Sequence, residues 1–292
     1  MNCCAYHRPT SLDEALELVA KNPDAKFIGG GTDLLVKMRR RFSAAPGELI
    51  SLRRIDELMR VEETQGCLRI GAGVPLADLA VNDHVRERLP ALTEAIALFG
   101  SRQIRNVATV GGNLCNASPG ADCAPPLLVH GARLELRSAS GVREVPLAEF
   151  FRGPGETTLG AGEILTAILI DHPRGRAVST FLRKSRVSMD LAIASVAVFL
   201  EYDGALCTLA RIAAGAVAPT PLRLEAAERA LEGTELDEDA CSAAALAVDV
   251  AISPISDVRA EDWYRRHLTG VLLRRALTRL TRATETVGGG AR

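Results

Sequence analysis

The run Lys26-Phe27-Ile28-Gly29-Gly30-Gly31-Thr32-Asp33-Leu34-Leu35 constrains this chain more than any other stretch. Lys26 to Ile28 suit an extended strand, where bulky residues sit well on a pleated surface. Three consecutive glycines follow, and a backbone without Cβ atoms can come very close to another molecule. Thr32 and Asp33 then stand at the expected cap of a helix that opens on Leu34, Leu35 and Met38. Strand, glycine turn and helix start together leave unpaired N–H groups facing whatever sits there, which favours phosphate or diphosphate. A tight βα turn with no ligand accounts for three glycines equally well. Neither G-x-x-x-x-G-K-[ST] nor G-x-G-x-x-G is present, so a P-loop and a dinucleotide-binding Rossmann turn are not supported.

The 292 residues exceed the roughly 150 typical of one domain, so two domains are expected. A hydrophobic fraction of 47% with 24% charged residues is ordinary for a chain that buries a full core. The net charge of −1 gives no general attraction to nucleic acid or anionic membrane. No apolar run approaches the ~18 residues of a membrane span, and Met1 to His7 form no signal run, so a cytoplasmic location is expected. Seven scattered cysteines, with no C-x-x-C, argue against both a disulfide framework and a zinc site. Cys115 and Cys123 flank one segment, but two thiolates without a further pair make a poor cluster site.

Along the chain, Ser11-Leu12-Asp13-Glu14 reads as a capping box, and Leu12, Ala15, Leu16 and Val19 recur at helical spacing up to Asn22-Pro23. The strand at Lys26–Ile28, a helix to about Arg40 and a strand at Glu48–Leu52 form a small parallel unit. Lys37, Arg39, Arg40 and Arg41 make a basic run beside the turn. A strand near Leu68, helices at Leu76–Val81 and Val85–Phe99, and a long irregular segment from Ser101 to Asp122 follow. That segment is rich in small polar residues, and loops of such length are usually functional. Leu127–His130 is a short apolar run; Leu134–Arg137 and Val142–Val145 pair across Ser140-Gly141, and Glu163–Ile170 is a strand. Asp203-Gly204 turns a hairpin between Ala192–Tyr202 and Ala205–Ala216. Helices are expected at Leu224–Leu231, Asp237–Val250 and Trp263–Leu280, with a disordered tail from Thr284.

Taken together, Lys26 to Leu34, Thr109-Val110-Gly111-Gly112-Asn113-Leu114, and Ala117-Ser118-Pro119 with Asp122 resemble a known family. It is the FAD-binding medium subunit of the xanthine dehydrogenase and carbon monoxide dehydrogenase family of molybdenum hydroxylases. Gly162-Glu163-Ile164-Leu165, Ser185-Arg186 with Asp190-Leu191-Ala192, and Ile252 to Ala260 agree in order and spacing, so the resemblance spans nearly the whole chain. Two glycine motifs about 80 residues apart are far more specific than either alone.

The resemblance implies an α+β architecture: a two-subdomain, PCMH/VAO-like FAD-binding fold over 1–172 (about 1–57 and 58–172). A C-terminal domain over 173–292, a three-stranded antiparallel sheet with helices, follows. It implies that Lys26, Phe27, Ile28, Gly29, Gly30, Gly31, Thr32, Asp33 and Leu34 hold the FAD diphosphate. Phe99 and Gly100 would lie by the flavin, Thr109, Gly112 and Asn113 along the isoalloxazine and ribityl chain, Asp122 near the flavin, and Leu165 on the adenine. The roles of Arg186 and Asp190 stay open. A bulky residue at Gly30 or Gly112 is expected to expel FAD while leaving the fold intact. The 4-hydroxybenzoyl-CoA reductase branch carries a cysteine-rich insertion after the second glycine motif; Asn113 runs to Asp122 without one, so Cys115 and Cys123 are not expected to ligate a cluster.

FAD carries its own redox chemistry, so a chain that supplies placement needs no nucleophile or paired carboxylates, and none is recognisable here. In the family, substrate is oxidised at a molybdopterin centre on a large subunit, and electrons cross [2Fe–2S] clusters on a small subunit to FAD and then NAD or another acceptor. The chain is therefore expected to be an oxidoreductase subunit of a heteromer. An assembly scaffold without redox role and a stand-alone FAD-dependent oxidoreductase are the alternatives.

Overall fold

The computed structural model describes residues 4–40, 46–64 and 66–288, those from 283 onward by their backbone alone. Cys3, Arg41 and the end of the tail at 289–292 lie outside the described residues. The chain divides into two compact units. The first is Met1–Asn82, Ser101–Ala117 and Ala132–Asp171; the second is Asp83–Gly100, Ser118–Gly131 and His172–Arg292.

In the first unit, Glu48–Ser51 lies between Ala5–His7 and Lys26–Ile28 in a three-stranded parallel sheet. The helix Leu12–Lys21 starts as its capping box directs: Ser11 Oγ accepts from the Glu14 N–H at 3.2 Å. The Glu14 carboxylate reaches back to the Thr10 N–H at 2.8 Å. Leu12, Ala15, Leu16 and Val19 bury the helix against Ile50, Ile55 and Leu58. A five-stranded antiparallel sheet follows, in the order Val61–Glu63, Cys67–Gly71, Ile164–Asp171, Arg133–Ser138, Gly141–Pro146. Its central strand carries an irregularity between Leu165 and Ala167, where Thr166 Oγ1 donates to the Glu135 carbonyl at 3.0 Å.

The second unit is built on the antiparallel order Arg176–Lys184, Ala194–Asp203, Leu206–Gly215, with a two-residue fourth strand at Leu222–Arg223. Both faces are covered. Val196, Val198 and Leu200 face Leu224, Val248, Leu272, Leu273 and Leu277 of the C-terminal helices. On the opposite face Phe199 meets the ring of His130 edge-on at 4.9 Å. Burial on both sides is why Ala194–Asp203 reads as a nearly unbroken apolar run. The α+β class and the C-terminal antiparallel sheet agree with expectation.

Several local expectations are corrected. Asp33 already has helical torsions, φ −98 and ψ −47, and makes no side-chain cap bond to the helix Leu34–Arg39. The segment from Ser101 to Asp122 is not irregular throughout. Ser101 Oγ caps a turn at Arg102–Arg105, and Thr109 Oγ1 caps Val110–Cys115. Glycine and asparagine hide the second helix from apolar periodicity. The helix expected over Val85–Phe99 is two, Asp83–Arg88 and Pro90–Leu98, because proline breaks the ladder and fits only a first turn. The apolar run Leu127–His130 belongs to the helix Ala124–Val129. The last helix, Asp262–Gly288, continues through the first residues of the tail expected to be disordered, since no glycine or proline stands between Gly270 and Gly288.

Arg265 ties the second unit together from inside. Its Nη1 donates to the carbonyls of Ile193 and Ala216 at 2.7 and 3.0 Å, and Nη2 donates to Asp257 Oδ1 at 2.7 Å. Burial alone would raise the Asp257 carboxyl. The N–H groups of Arg259 and Ala260 and the Arg265 guanidinium outweigh that and hold it at about 2. Arg265→Leu is predicted to destabilise the second unit by about 3 kcal/mol, because it strands buried acceptors. A depressed folded value means that the Asp257 contribution is complete above its ordinary value of 3.8 and is lost as pH falls toward 2. Urea unfolding of both proteins at pH 7 and pH 2.5 checks this: the gap between them should shrink in acid.

Candidate functional site

The strand Lys26–Ile28 runs directly into Gly29–Gly31, and Gly31 takes φ +74, where glycine is favoured. Among the described residues, no backbone carbonyl accepts from the N–H groups of Gly29 to Asp33. Five successive open donors at one turn are a place for an anionic acceptor.

The second glycine motif lies against this turn. Ala108 O accepts from the Leu76 N–H at 2.9 Å, and the Gly111 N–H donates to Ala72 O at 2.9 Å, which laces Val107–Gly111 to Ala72–Leu76. A Cβ on Gly30 would stand 2.0 Å from Val107 O and 2.8 Å from Ala108 Cα, and one on Gly111 would stand 2.7 Å from Ala72 O. These glycines serve backbone-to-backbone packing. The expectation that a bulky residue at Gly30 would leave the fold intact is corrected accordingly: its missing side chain makes room for Val107. Gly112 differs, since a Cβ there would meet only Thr109 Oγ1, at 2.8 Å. Thr109 is buried, caps its helix by accepting from the Gly112 N–H at 3.1 Å, and lies 3.0 Å from the position of a Cβ on Gly29.

Between these segments is a cavity of about 150 Å³. Phe27, Gly29, Thr109, Gly112 and Leu165, all predicted from the sequence, line it. Leu52, Leu58, Met59 and Ile164 make most of the remaining apolar wall, with Arg53 and Glu163 the charged members. Phe27 faces the cavity while Ile28, its neighbour on an alternating strand, is buried in the core. Lys26, Ile28, Gly30, Gly31, Thr32, Asp33, Leu34 and Asn113 are not among the lining residues described. Asn113 Oδ1 is buried and has no hydrogen-bond partner among the described residues, a costly arrangement that a bound donor would relieve. Lys37 Nζ donates to Asn116 Oδ1 at 2.6 Å, which joins the ends of the two motif helices.

Cys115 also lines the cavity, and burial pushes its thiol up to about 12. Burial, reinforced by the Asp122 charge, likewise pushes Cys123 up. Both are neutral thiols at ordinary pH, and among the described residues no three His, Cys, Asp or Glu side chains cluster as metal ligands would.

Phe99, Gly100 and Asp122 belong to the second unit. The Phe99 N–H closes the helix Pro90–Leu98 on Ile96 O at 3.0 Å, and Gly100 takes φ +43. Asp122 pairs with Arg183, both side chains being about 95% buried. Burial raises its carboxyl to about 6 despite that partner, and its Oδ1 has no hydrogen-bond partner among the described residues. Arg186 and Asp190 pair with each other at 2.9 Å, and Arg186 also donates to Val258 O.

The residues missed from sequence are those that reach the cavity from separate loops. Arg53 follows the parallel strand, Met59 ends a 3₁₀ turn, and Glu163 precedes the bulged strand. Only Glu163 and Ile164 stood in a stretch with a signal, the Gly162–Leu165 segment.

The family model for the FAD binding domain in molybdopterin dehydrogenase matches residues 2–173, and that for the CO dehydrogenase flavoprotein C-terminal domain matches 179–280. This chain belongs to the FAD-binding subunits of the molybdenum hydroxylases. It is 33% identical over 277 residues to the xanthine dehydrogenase FAD-binding subunit of Escherichia coli, which covers 94% of each chain. It is 36% identical over 275 residues to the carbon monoxide dehydrogenase medium chain of Afipia carboxidovorans, covering 94% of this chain and 95% of that one. Among solved structures, reconstituted CO dehydrogenase from Oligotropha carboxidovorans superposes with a TM-score of 0.92 at 35% identity, covering 96% and 98% of the two chains. Quinoline 2-oxidoreductase from Pseudomonas putida 86 does so with a TM-score of 0.90 at 30% identity over the same shares. As a molybdenum hydroxylase FAD-binding subunit, the chain is an oxidoreductase subunit with FAD as its cofactor. The open amides, the apolar cavity and the orphaned Asn113 oxygen fit that group. No helix among the described residues is long and apolar enough to cross a membrane.

Two glycine substitutions should separate packing from binding. Gly30→Ala is predicted to lower stability by about 3 kcal/mol or more, since backbone atoms cannot yield to a Cβ at that distance. Gly112→Ala, at an exposed position against one hydroxyl, should cost about 1 kcal/mol or less. Thermal unfolding with flavin content on the same samples checks both.

Proposed function

We propose that this chain is the electron-transfer flavoprotein of a heteromeric molybdenum hydroxylase. It takes electrons from [2Fe–2S] clusters on a small subunit and passes them through FAD to NAD or another acceptor. A molybdopterin-binding large subunit oxidises the organic substrate, so substrate choice lies on another chain. The observation that carries this reading is the meeting of two glycine segments at one cavity, with open amides on one and an orphaned carboxamide oxygen on the other. The relatives' names, a FAD-binding subunit and a medium chain, support its place as one chain of a larger enzyme.

FAD supplies the electron chemistry when bound, and this chain supplies placement. We assign the N–H groups of Gly29 to Asp33 to the diphosphate. The cavity holding Leu165 takes the adenine, where Phe27, Leu52 and Leu58 exclude water and Arg53 adds positive charge. Asn113 Oδ1 accepts from the flavin half, and Thr109 fixes that residue's helix by capping it. Phe99, Gly100 and Asp122 are assigned to the flavin on family resemblance. Cys115, being neutral, contributes packing without charge.

Asn113→Leu tests the assignment in two directions. Removing a carboxamide whose buried oxygen has no partner among the described residues should leave the flavin-free chain at least as stable as wild type, because an unsatisfied buried oxygen costs about 1–3 kcal/mol. The same change should weaken FAD binding by about fivefold, the scale of one net hydrogen bond. Equilibrium dialysis and thermal unfolding of the flavin-free chain read both. Undiminished FAD affinity would remove Asn113 from the site. Failure of the wild-type chain to bind FAD would favour a scaffold without redox role, and isolation of an active single chain would favour a stand-alone oxidoreductase.

A further inference from the structure

Glu163 stands at the cavity wall with its side chain 12% exposed. A carboxylate beside an apolar cavity is costly unless its oxygens are engaged. Both are. Arg143 on the strand Gly141–Pro146 donates from Nε to Oε1 and from Nη2 to Oε2, each at 2.7 Å. The Gly160 N–H donates to Oε2 at 2.5 Å. Arg143 Nη2 also reaches the Thr158 carbonyl at 2.9 Å, so both partners grip the backbone of the same loop. The loop closes on itself as well: the Glu163 N–H donates to Gly160 O at 3.1 Å, and Gly162 turns the chain at φ +74. Guanidinium–carboxylate pairs with two parallel bonds are directional as well as strong. Hydrogen bonding to Arg143 holds the Glu163 carboxyl below its ordinary range, so the pair is intact at neutral pH.

What the pair fixes is a wall. Leu159 lies within the loop, and Ile164 and Leu165 follow Glu163 directly; all three line the cavity. Arg143 is 46% exposed, so the pair adds little to global stability. A preformed wall nevertheless raises affinity, because a loose one must be ordered at the moment of binding.

We propose that the Arg143–Glu163 pair is a latch that holds the Thr158–Leu165 wall in place and so sets the affinity of the chain for the adenosine half of FAD. The proposal rests on the reading of this cavity as the adenine seat. Arg143 and Glu163 are positioning residues, acting through Leu159, Ile164 and Leu165.

The test measures dissociation constants of FAD, ADP and FMN for the full chain stripped of flavin, in wild type, Arg143→Ala, Glu163→Gln and Arg143→Lys. Wild type is expected to bind FAD and ADP. The two latch-breaking variants should lose about tenfold in affinity for both, with FMN, which lacks the adenosine half, changed less than about twofold. Arg143→Lys, which keeps charge but not the paired geometry, should fall between. FAD and ADP affinities within about twofold of wild type in folded variants would overturn the latch, as would FMN and FAD weakening in step. If Arg143→Ala does not fold, Arg143→Lys carries the test, and wild-type ADP affinity there would overturn it. A wild-type chain that binds FAD but not ADP would instead show that the adenine reading has failed, and the latch with it.

Discussion

The peptide backbone at Gly30 and the backbone at Val107 and Ala108 occupy space that no side chain could share. A Cβ at position 30 would lie 2.0 Å from a carbonyl oxygen that has nowhere to move, because Val107–Gly111 is itself laced to Ala72–Leu76. Gly111 repeats the requirement against Ala72. The three segments approach this closely because Gly30 and Gly111 carry no side chain. Thr109 then takes a position beside both glycine motifs, where its hydroxyl caps the helix that carries Asn113. Among the described residues the amides of Gly29 to Asp33 have no backbone acceptor, and strand pairing ends at Ile28. One packing constraint thus sets how closely the two glycine segments approach.

Such a seat suits a cofactor that brings its own reactivity. It has apolar walls, a neutral thiol at Cys115, and charged groups whose pairing is already settled at Glu163. None of the residues that line it forms a nucleophile–base pair. A chain of this kind contributes affinity and position. The bulge at Thr166 serves the same end, since an inserted residue re-aims the strand just after Leu165 enters the cavity.

How much of this was legible in the sequence depended on the range of the interaction. Lys26–Ile28, the glycine turn and the parallel strand at Glu48–Ser51 were readable because strand, turn and helix signals are local. So was the hairpin at Asp203-Gly204, where a turn dipeptide separates two apolar runs. The strand Arg176–Lys184 was not, because it follows His172-Pro173-Arg174-Gly175 and its ends are polar. The helix Val110–Cys115 was hidden because it is stabilised by the Thr109 cap and by contacts of its glycines, neither of which leaves an apolar period. Both motifs of the site were visible, as were Phe27 and Leu165 of its wall. Arg53 and Met59 were not, nor was the pairing of Arg143 with Glu163, since these come together only through tertiary folding. The effect of a bulky residue at Gly30 was not legible for a related reason: sequence shows that a side chain is missing without showing on which side of the backbone the space is needed.

The most direct test of the account is amide hydrogen exchange of the full chain with and without FAD. The N–H groups of Gly29 to Asp33 lack carbonyl partners and should exchange quickly in the flavin-free chain, then slow together when FAD is added. The segment Thr109–Cys115 should gain protection with them, while the strands Ala194–Asp203 and Leu206–Gly215 stay as they were. Protection that appeared elsewhere while Gly29 to Asp33 remained fast would contradict the claim that these two glycine segments form the cofactor seat.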